Sequence, residues 1–450
     1  MNKNKVDMTC GPIINKVFIF AVPIILSNIL QQLYTTVDTL VIGNFVGQTA
    51  LAAVGTSAQP VEVLLCVFLG IGGGVTILIS QYTGAHDDKG IVTTCRTAVF
   101  FVYACGIPLC LLGYLLAPAL LQFMGVPSDT MAEALIYTRI TFLGTLANIG
   151  YNMNAGILRG LGDSRATLYF LLVSAISNII GDILFVPFMG LGTGGAALAT
   201  IIAQYIAWFT TIYYLKSRYP AVGFTLLPHS CNKKALQKIL LFGLPIGLNN
   251  SLFSLGHMFM QIMVNAQGSV FMAGASVAGR ITGISNIAIT GLSSAASAFS
   301  GQNYGAGDLD RLRRGYIRIP LMSGTITAIF GLLFISVRMP ILGFFTTDTM
   351  VLMYASRYVV VQLLSQWMYA IYNACINIVN GTGRLKYTTI VNLAMLWVIR
   401  IPSAYLIMRF YDGTWIMLSV AISFAFGMIA MLGYYIFSKS WHALLKGDQA

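Results

Sequence analysis

Twelve apolar stretches, each long enough to cross the ~30 Å hydrocarbon core of a bilayer as a helix, leave this chain little room for anything but membrane-spanning structure. They lie near 15–42, 51–79, 92–116, 134–158, 165–189, 193–215, 237–263, 275–299, 316–337, 352–378, 387–409 and 413–437. Lipid cannot satisfy backbone N–H and C=O groups, so open segments of this kind span as helices, and the expected fold class is all-α integral membrane. Only 9% of the 450 residues are charged, where a soluble protein carries about 25%, so no water-soluble surface can be coated. Soluble enzymes and nucleic-acid-binding proteins are thereby excluded. The first stretch is too long for the core of a signal peptide and no small-residue cleavage site follows it, so it is expected to remain as a span.

The net charge of +12 belongs to the membrane surface rather than to a nucleic-acid partner. With both termini inside, 20 of the 26 Lys and Arg fall in cytoplasmic loops and tails, whereas the loops at 43–50, 117–133 and 190–192 carry none. Both termini are therefore expected in the cytoplasm of a multi-pass cell-membrane protein. The seven cysteines include no CxxC pair and are expected to be free.

The chain also repeats itself. Phe20-Ala-Val-Pro-Ile24 recurs as Phe242-Gly-Leu-Pro-Ile246, an offset of 222. Ser80-Gln-Tyr-Thr-Gly-Ala85 recurs as Gly301-Gln-Asn-Tyr-Gly-Ala306, and Gly160-Leu-Gly-Asp163 as Gly381-Thr-Gly-Arg384, both at 221. Six spans per half is an even number, so both halves enter the membrane in the same sense. The expected organisation is an amino-terminal six-helix bundle (1–215), a cytoplasmic linker (216–236) and a carboxyl-terminal six-helix bundle (237–450), two parallel pseudo-symmetric bundles around a central cleft. A complete pair of halves needs no second copy, so a monomer is expected to function.

Catalytic and nucleotide motifs are missing. There is no GxxxxGK[ST], HExxH or GxSxG, and the run Gly190-Leu-Gly192-Thr-Gly194-Gly195 lacks the preceding strand of a dinucleotide fingerprint and is expected to be a turn. No enzyme activity and no cofactor is expected.

Charge inside the spans carries the functional reading. Only three acidic residues, Asp38, Glu62 and Asp182, fall within them, where insertion costs about 2.5–3.5 kcal/mol. Asn28, Gln31, Thr35 and Asp38 share one face of the first helix, and Ser174, Asn178 and Asp182 share one face of the fifth. Thr200 and Gln204 on the sixth helix, with Asn148 and Asn152 on the fourth, complete a candidate polar pocket. Two carboxylates in one dry pocket repel, so it is suited to take up a proton; with amide and hydroxyl oxygens beside them it equally suits sodium.

Taken in order, the Pro23–Asp38 segment, the turn Arg159-Gly-Leu-Gly-Asp163, the pair Asn178-x-x-x-Asp182 and the repeated Gln-x-x-Gly-Ala turn resemble the multidrug and toxic compound extrusion family over nearly the whole chain. The resemblance implies export of small organic, often cationic or amphipathic, compounds in exchange for protons or sodium by alternating access. It maps a cation-coupling site onto Asp38, Asn178, Asp182 and Thr200, with Tyr137 and Asn154 in support, Pro23 at a helix bend, and sodium, if bound, held by Asp38, Asn178 and Asp182. The sodium-coupled branch carries acidic residues on helices 7 and 10. Here helix 7 offers Asn250, His257 and Gln261, and helix 10 offers Gln362, Gln366, Asn373 and Asn377. Coupling is therefore expected in the amino-terminal half, by protons in preference to sodium.

The substrate cleft is expected to involve Gln31, Glu62, Asn152, His257, Gln261, Arg280, Gln362, Gln366, Tyr369 and Asn373. Glu62 could instead pair with Arg280, Arg139 or Arg400, His257 could relay protons or sit as a core residue, and the helix 10 amides could simply bond between helices. A flippase of lipid-linked sugars, using the three arginines for a pyrophosphate, and a non-transporting receptor or scaffold are the alternatives.

Overall fold

The computed structural model describes residues 5–124, 126, 128, 130–228 and 231–445, and within its helices not the side chains of 48–53, 56–64, 440 and 444–445. Every regular element among the described residues is helical. The long helices are α1 (Ile13–Phe45), α2 (Gln48–Gly84), α3 (Asp88–Phe123), α4 (Met131–Leu161), α5 (Ser164–Ile183), α6 (Gly192–Arg218), α7 (Lys233–Asn265), α8 (Ser269–Gly305) and α9 (Leu309–Ser336). A short α10 (Arg338–Gly343) leads to α11 (Thr349–Gly381), α12 (Leu385–Leu393), α13 (Ile401–Phe410), α14 (Leu418–Phe437) and a terminal α15 (Lys439–Leu445). Joining α12 and α13 into one rod gives twelve rods at the expected places. Ten are long and apolar enough to cross a membrane; α4 and α8 have the length but are more polar.

Apolar side chains cover the outside as well as the core. On α3, Leu111, Leu112, Leu115 and Leu116 are all more than half exposed. In water such a patch would drive aggregation, whereas against lipid it is the matching surface. This is a multi-pass membrane protein.

Two compact units divide the chain. Leu26–Leu248 form the body of one, and Asp7–Ile25 with Asn249 onward form the other. In the first, α4 packs on α2, α3 and α6, and α5 on α6; in the second, α11 packs on α8, α9 and α14. The seams differ from those expected at 215 and 237, because they fall inside two continuous helices, α1 after Ile25 and α7 after Leu248. Each lies within three residues of a proline, Pro23 or Pro245, whose missing N–H weakens the helix there.

Small residues explain why the start of α7 belongs with the amino-terminal unit. Gly70 and Gly74 on α2 meet Gly243 and Gly247 on α7, so close that a Cβ at Gly70 would overlap the Gly247 nitrogen. Facing small-xxx-small pairs of this kind let backbones touch in a membrane, where apolar burial alone does not drive helices together. The carboxyl-terminal unit repeats the arrangement. Gly291, 221 residues after Gly70, lies against Ile25 of α1.

The expected linker is shorter and less free than its polar sequence suggests. It contains a single 3-10 turn, Pro220–Val222, and Val222 and Phe224 are buried in the core of the amino-terminal unit. All seven cysteines are free. Gly190 and Gly192 adopt left-handed φ values of 67° and 56°, so only the start of the glycine-rich run is a turn, and Gly192–Gly195 already form the first turn of α6.

The Gly160-Leu-Gly-Asp163 motif has a structural reason. Gly162 ends α4 in a left-handed conformation, and fully buried Asp163 caps α5 by accepting from Ala166 N at 3.1 Å. The other carboxylate oxygen accepts from the hydroxyls of Tyr214 and Tyr219, both at 2.8 Å. Asp163→Ala removes a cap worth about 0.5–2 kcal/mol and strips two charge-assisted bonds. A melting temperature in detergent lower by several degrees is expected; an unchanged one would refute the role.

Candidate functional site

The amino-terminal unit brings Asp38 of α1 and Asp182 of α5 together. Their carboxyl groups come within hydrogen-bonding reach of each other, Asp182 fully buried and Asp38 half-buried. No donor reaches Asp38 Oδ1 or either carboxylate oxygen of Asp182. One turn before Asp182, Asn178 Nδ2 donates to Thr200 Oγ1 at 3.3 Å, and the Asn178 Oδ1 is buried without a partner. The Tyr137 phenol of α4 feels both carboxylates, and Tyr34, within hydrogen-bond reach of Gln31, faces Asp38. Like charges at this separation in a weakly screening interior repel strongly. The arrangement can therefore hold a proton between the carboxylates or a small cation among their oxygens.

Local sequence places these groups. Asn178 and Asp182 share a face because they are four residues apart, and just beyond them α5 widens into a π-helical segment, Leu184–Phe188, that contains Pro187. In the other unit α12 likewise widens into a π-helical segment, Ala394–Arg400, which ends two residues before Pro402.

Asn154 stands apart from this group. It lies 17 residues beyond Tyr137 on α4, about 25 Å along a straight helix, and donates to Thr211 Oγ1 at 2.9 Å. Asn152 turns back on its own helix, donating to Asn148 at 2.9 Å. Pro23 lies inside α1, two residues before the seam. Gln31 is exposed, and Glu62 is outside the described side chains.

The carboxyl-terminal unit contains a cavity of about 500 Å³, with Phe253, His257, Gln261, Gln362, Tyr369 and Arg400 in its wall. Arg400 is 2% exposed. Its Nε donates to Ser423 Oγ at 2.9 Å, its charge lies over the rings of Phe424 (5.1 Å) and Phe253 (5.8 Å), and its Nη2 is buried without an acceptor. His257 lies edge-on to Phe253, centroids 4.7 Å apart, and Tyr369 stacks on Phe424.

The polar residues of α11 are thus split. Gln362 and Tyr369 face the cavity, fully buried Gln366 donates to Asn286 Oδ1 of α8 at 2.8 Å, and Asn373 accepts from Asn377 one turn along. Arg280 is exposed on α8, and Arg139 lies over Tyr114 in the other unit. Sequence reasoning missed Tyr34 and the cavity around Arg400. A usable signal was present: the 221-residue offset pairs Tyr137 with Tyr358, which lines that cavity. No cluster of three or more His, Cys, Asp or Glu fit for a metal occurs among the described residues.

Comparison with known proteins agrees with this fold and this repeat. A probable multidrug resistance protein of Bacillus subtilis, YpnP, is 28% identical over 97% of this chain and 98% of its own, and a second, YoeA, is 28% identical over 93% and 92%. A crystal structure of MATE in complex with MaD3S superposes with a TM-score of 0.89 at 21% identity, over 99% of this chain and 100% of that one. The MatE family matches twice, over residues 23–184 and 245–406, two segments offset by 222 that each begin at one of the two helix prolines. The chain belongs to the MatE family of multidrug and toxic compound extrusion transporters.

Proposed function

We propose that this protein is a secondary active exporter of small organic amphipathic compounds, driven by protons moving inward through the Asp38–Asp182 pair. The apposed carboxylates carry the reading: they lie within reach of each other and the protein supplies no donor to three of their four oxygens. A proton removes one charge and provides the missing donor. Asp38 rides on α1, whose first turns belong to the other unit, so a change in its charge acts on a helix shared by both. Alternating access by repacking of α1 near Pro23 follows from that connection.

The multidrug-resistance names of the relatives support an exporter over a lipid flippase or a receptor. The basic loops support a cell-membrane location with both termini in the cytoplasm, and the two complete units support a working monomer. Neither a cofactor nor a catalytic step enters the cycle.

Sodium is the second reading, favoured by the unpartnered Asn178 Oδ1 and the Thr200 hydroxyl, hard oxygen donors beside the pair. Uptake of a fluorescent organic substrate into proteoliposomes, under a proton or a sodium gradient imposed separately, decides between them. Proton-driven accumulation is expected. Accumulation that follows only sodium replaces the ion, and none under either gradient overturns the transporter.

A further inference from the structure

We infer that the cavity of the carboxyl-terminal unit binds an organic anion, an amphipath bearing one carboxylate or sulfonate, with Arg400 as its charge partner. The inference names a substrate class for the proposed exporter and rests on that reading only for the claim that the bound anion is carried.

Arg400 is a permanent charge, because a guanidinium does not deprotonate in proteins. It sits 98% removed from solvent, one N–H end is held by Ser423, and the Nη2 end has no acceptor. The rings of Phe253 and Phe424 stabilise the cation through their faces but leave that N–H unbonded. Tyr358, Tyr369, Tyr372 and His257 are the titratable groups that interact electrostatically with it, and among the described residues no Asp or Glu lines the cavity. The acidic residues described in this unit, Asp7, Asp308, Asp310, Asp348 and Asp412, all precede a helix or sit in its first turn.

What the protein omits, a ligand can supply. A carboxylate or sulfonate offers Nη2 its acceptor and the charge its counter-ion, whereas a cation would add like charge beside an uncompensated one. The apolar wall, Met260, Val264, Val420 and Phe424, suits the body of such a molecule, and about 500 Å³ is the size of a drug-sized pocket.

Sequence repetition points the same way. An offset of 222 carries Asp38 to Met260, 221 carries Tyr137 to Tyr358, and 221 carries Asp182 to Ser403, three residues past Arg400. Where the amino-terminal unit places two acids, the carboxyl-terminal unit places one base.

Three probes with a common ring, naphthalenesulfonate, naphthalenesulfonamide and naphthylmethylammonium, test this by calorimetric titration of the full-length protein in detergent. Wild type is expected to bind the sulfonate about tenfold or more tighter than the ammonium. Arg400→Gln should lose about tenfold for the sulfonate and less than about threefold for the neutral sulfonamide, with partial recovery in Arg400→Lys. An ammonium preference in wild type overturns the proposal without needing any variant to fold, as does equal loss of both probes in Arg400→Gln. In nanodiscs, displacement of the sulfonate by phosphatidylglycerol but not phosphatidylcholine would assign the cavity to a lipid headgroup and overturn it as well. Transport of ammonium probes with no sulfonate binding would leave the exporter standing and remove this site. Sulfonate binding without flux under any gradient would keep the site and remove the exporter.

Discussion

Asp182→Asn is expected to yield a folded protein that no longer accumulates substrate against a gradient. In the native pair the carboxylates face each other with no protein donor to three of their four oxygens, so a proton taken up between them removes one charge and supplies the missing donor. An amide at 182 supplies a permanent N–H to Asp38, which then stays charged whatever the gradient. At zero membrane potential, one proton exchanged for one substrate molecule can accumulate that substrate about tenfold per pH unit, whatever its charge, equivalent to ~1.4 kcal/mol. The variant should show no accumulation, and Asp38→Asn should do the same for the reciprocal reason. The melting temperature should not fall, since a like-charge contact has been removed. Accumulation near tenfold in either variant would move coupling away from this pair.

Gly70→Val is expected to have the largest effect on folding. Its Cβ would lie far inside van der Waals contact with the Gly247 nitrogen, and that obstacle is main chain, which cannot rotate aside as a side chain can. Overpacking of this kind typically costs about 1–3 kcal/mol even where neighbours can shift. Gly70→Ala should therefore lower the melting temperature in detergent by several degrees, and Gly70→Val should leave little monodisperse protein. Gly433→Ala, whose Cβ meets nothing within 4 Å, is the control and should behave as wild type. Normal yield and stability of Gly70→Val would show that α2 and α7 do not touch at this point.

The two halves of the candidate site were legible to different degrees. Asp38, Asn178, Asp182 and Thr200 could be read from the chain because a charge in a span is costly and four-residue spacing fixes which neighbours share its face. Asn154 could not, because an amide on α4 can turn to any adjoining helix, and it turns to Thr211. For Gln366 the sequence leaves two roles open, facing substrate or bonding between helices, and the packing decides it: the amide bridges α11 to α8. From the chain alone Arg400 could pair with Glu62 or hold a pyrophosphate; the packing of α13, α14 and the π-helical turn before Pro402 places it, among the described residues, against Ser423 and two aromatic rings.

The seams were hidden for a further reason. Both helices turn more polar just past the seam, with Asn28, Gln31 and Gln32 following Ile25 and Asn249 and Asn250 following Leu248, but each runs on as one unbroken helix, so its sequence reads as a single span with one set of partners. The prolines marked the neighbourhood but not the exchange of partners, which depends on Gly70, Gly74, Gly243 and Gly247 meeting one another.

Sequence alone determined the membrane class, the number and order of the helices, the repeat and the acids that must face inward. Those follow from the free energy of moving each residue out of water and from the period of a helix, both local properties. The tertiary structure decided which side chains meet, where α1 and α7 change partners and which aromatic and hydroxyl groups surround Arg400. In a bilayer, lipid is as apolar as leucine, so a helix's own pattern barely sets its rotation, and close packing of small residues against specific neighbours sets it instead.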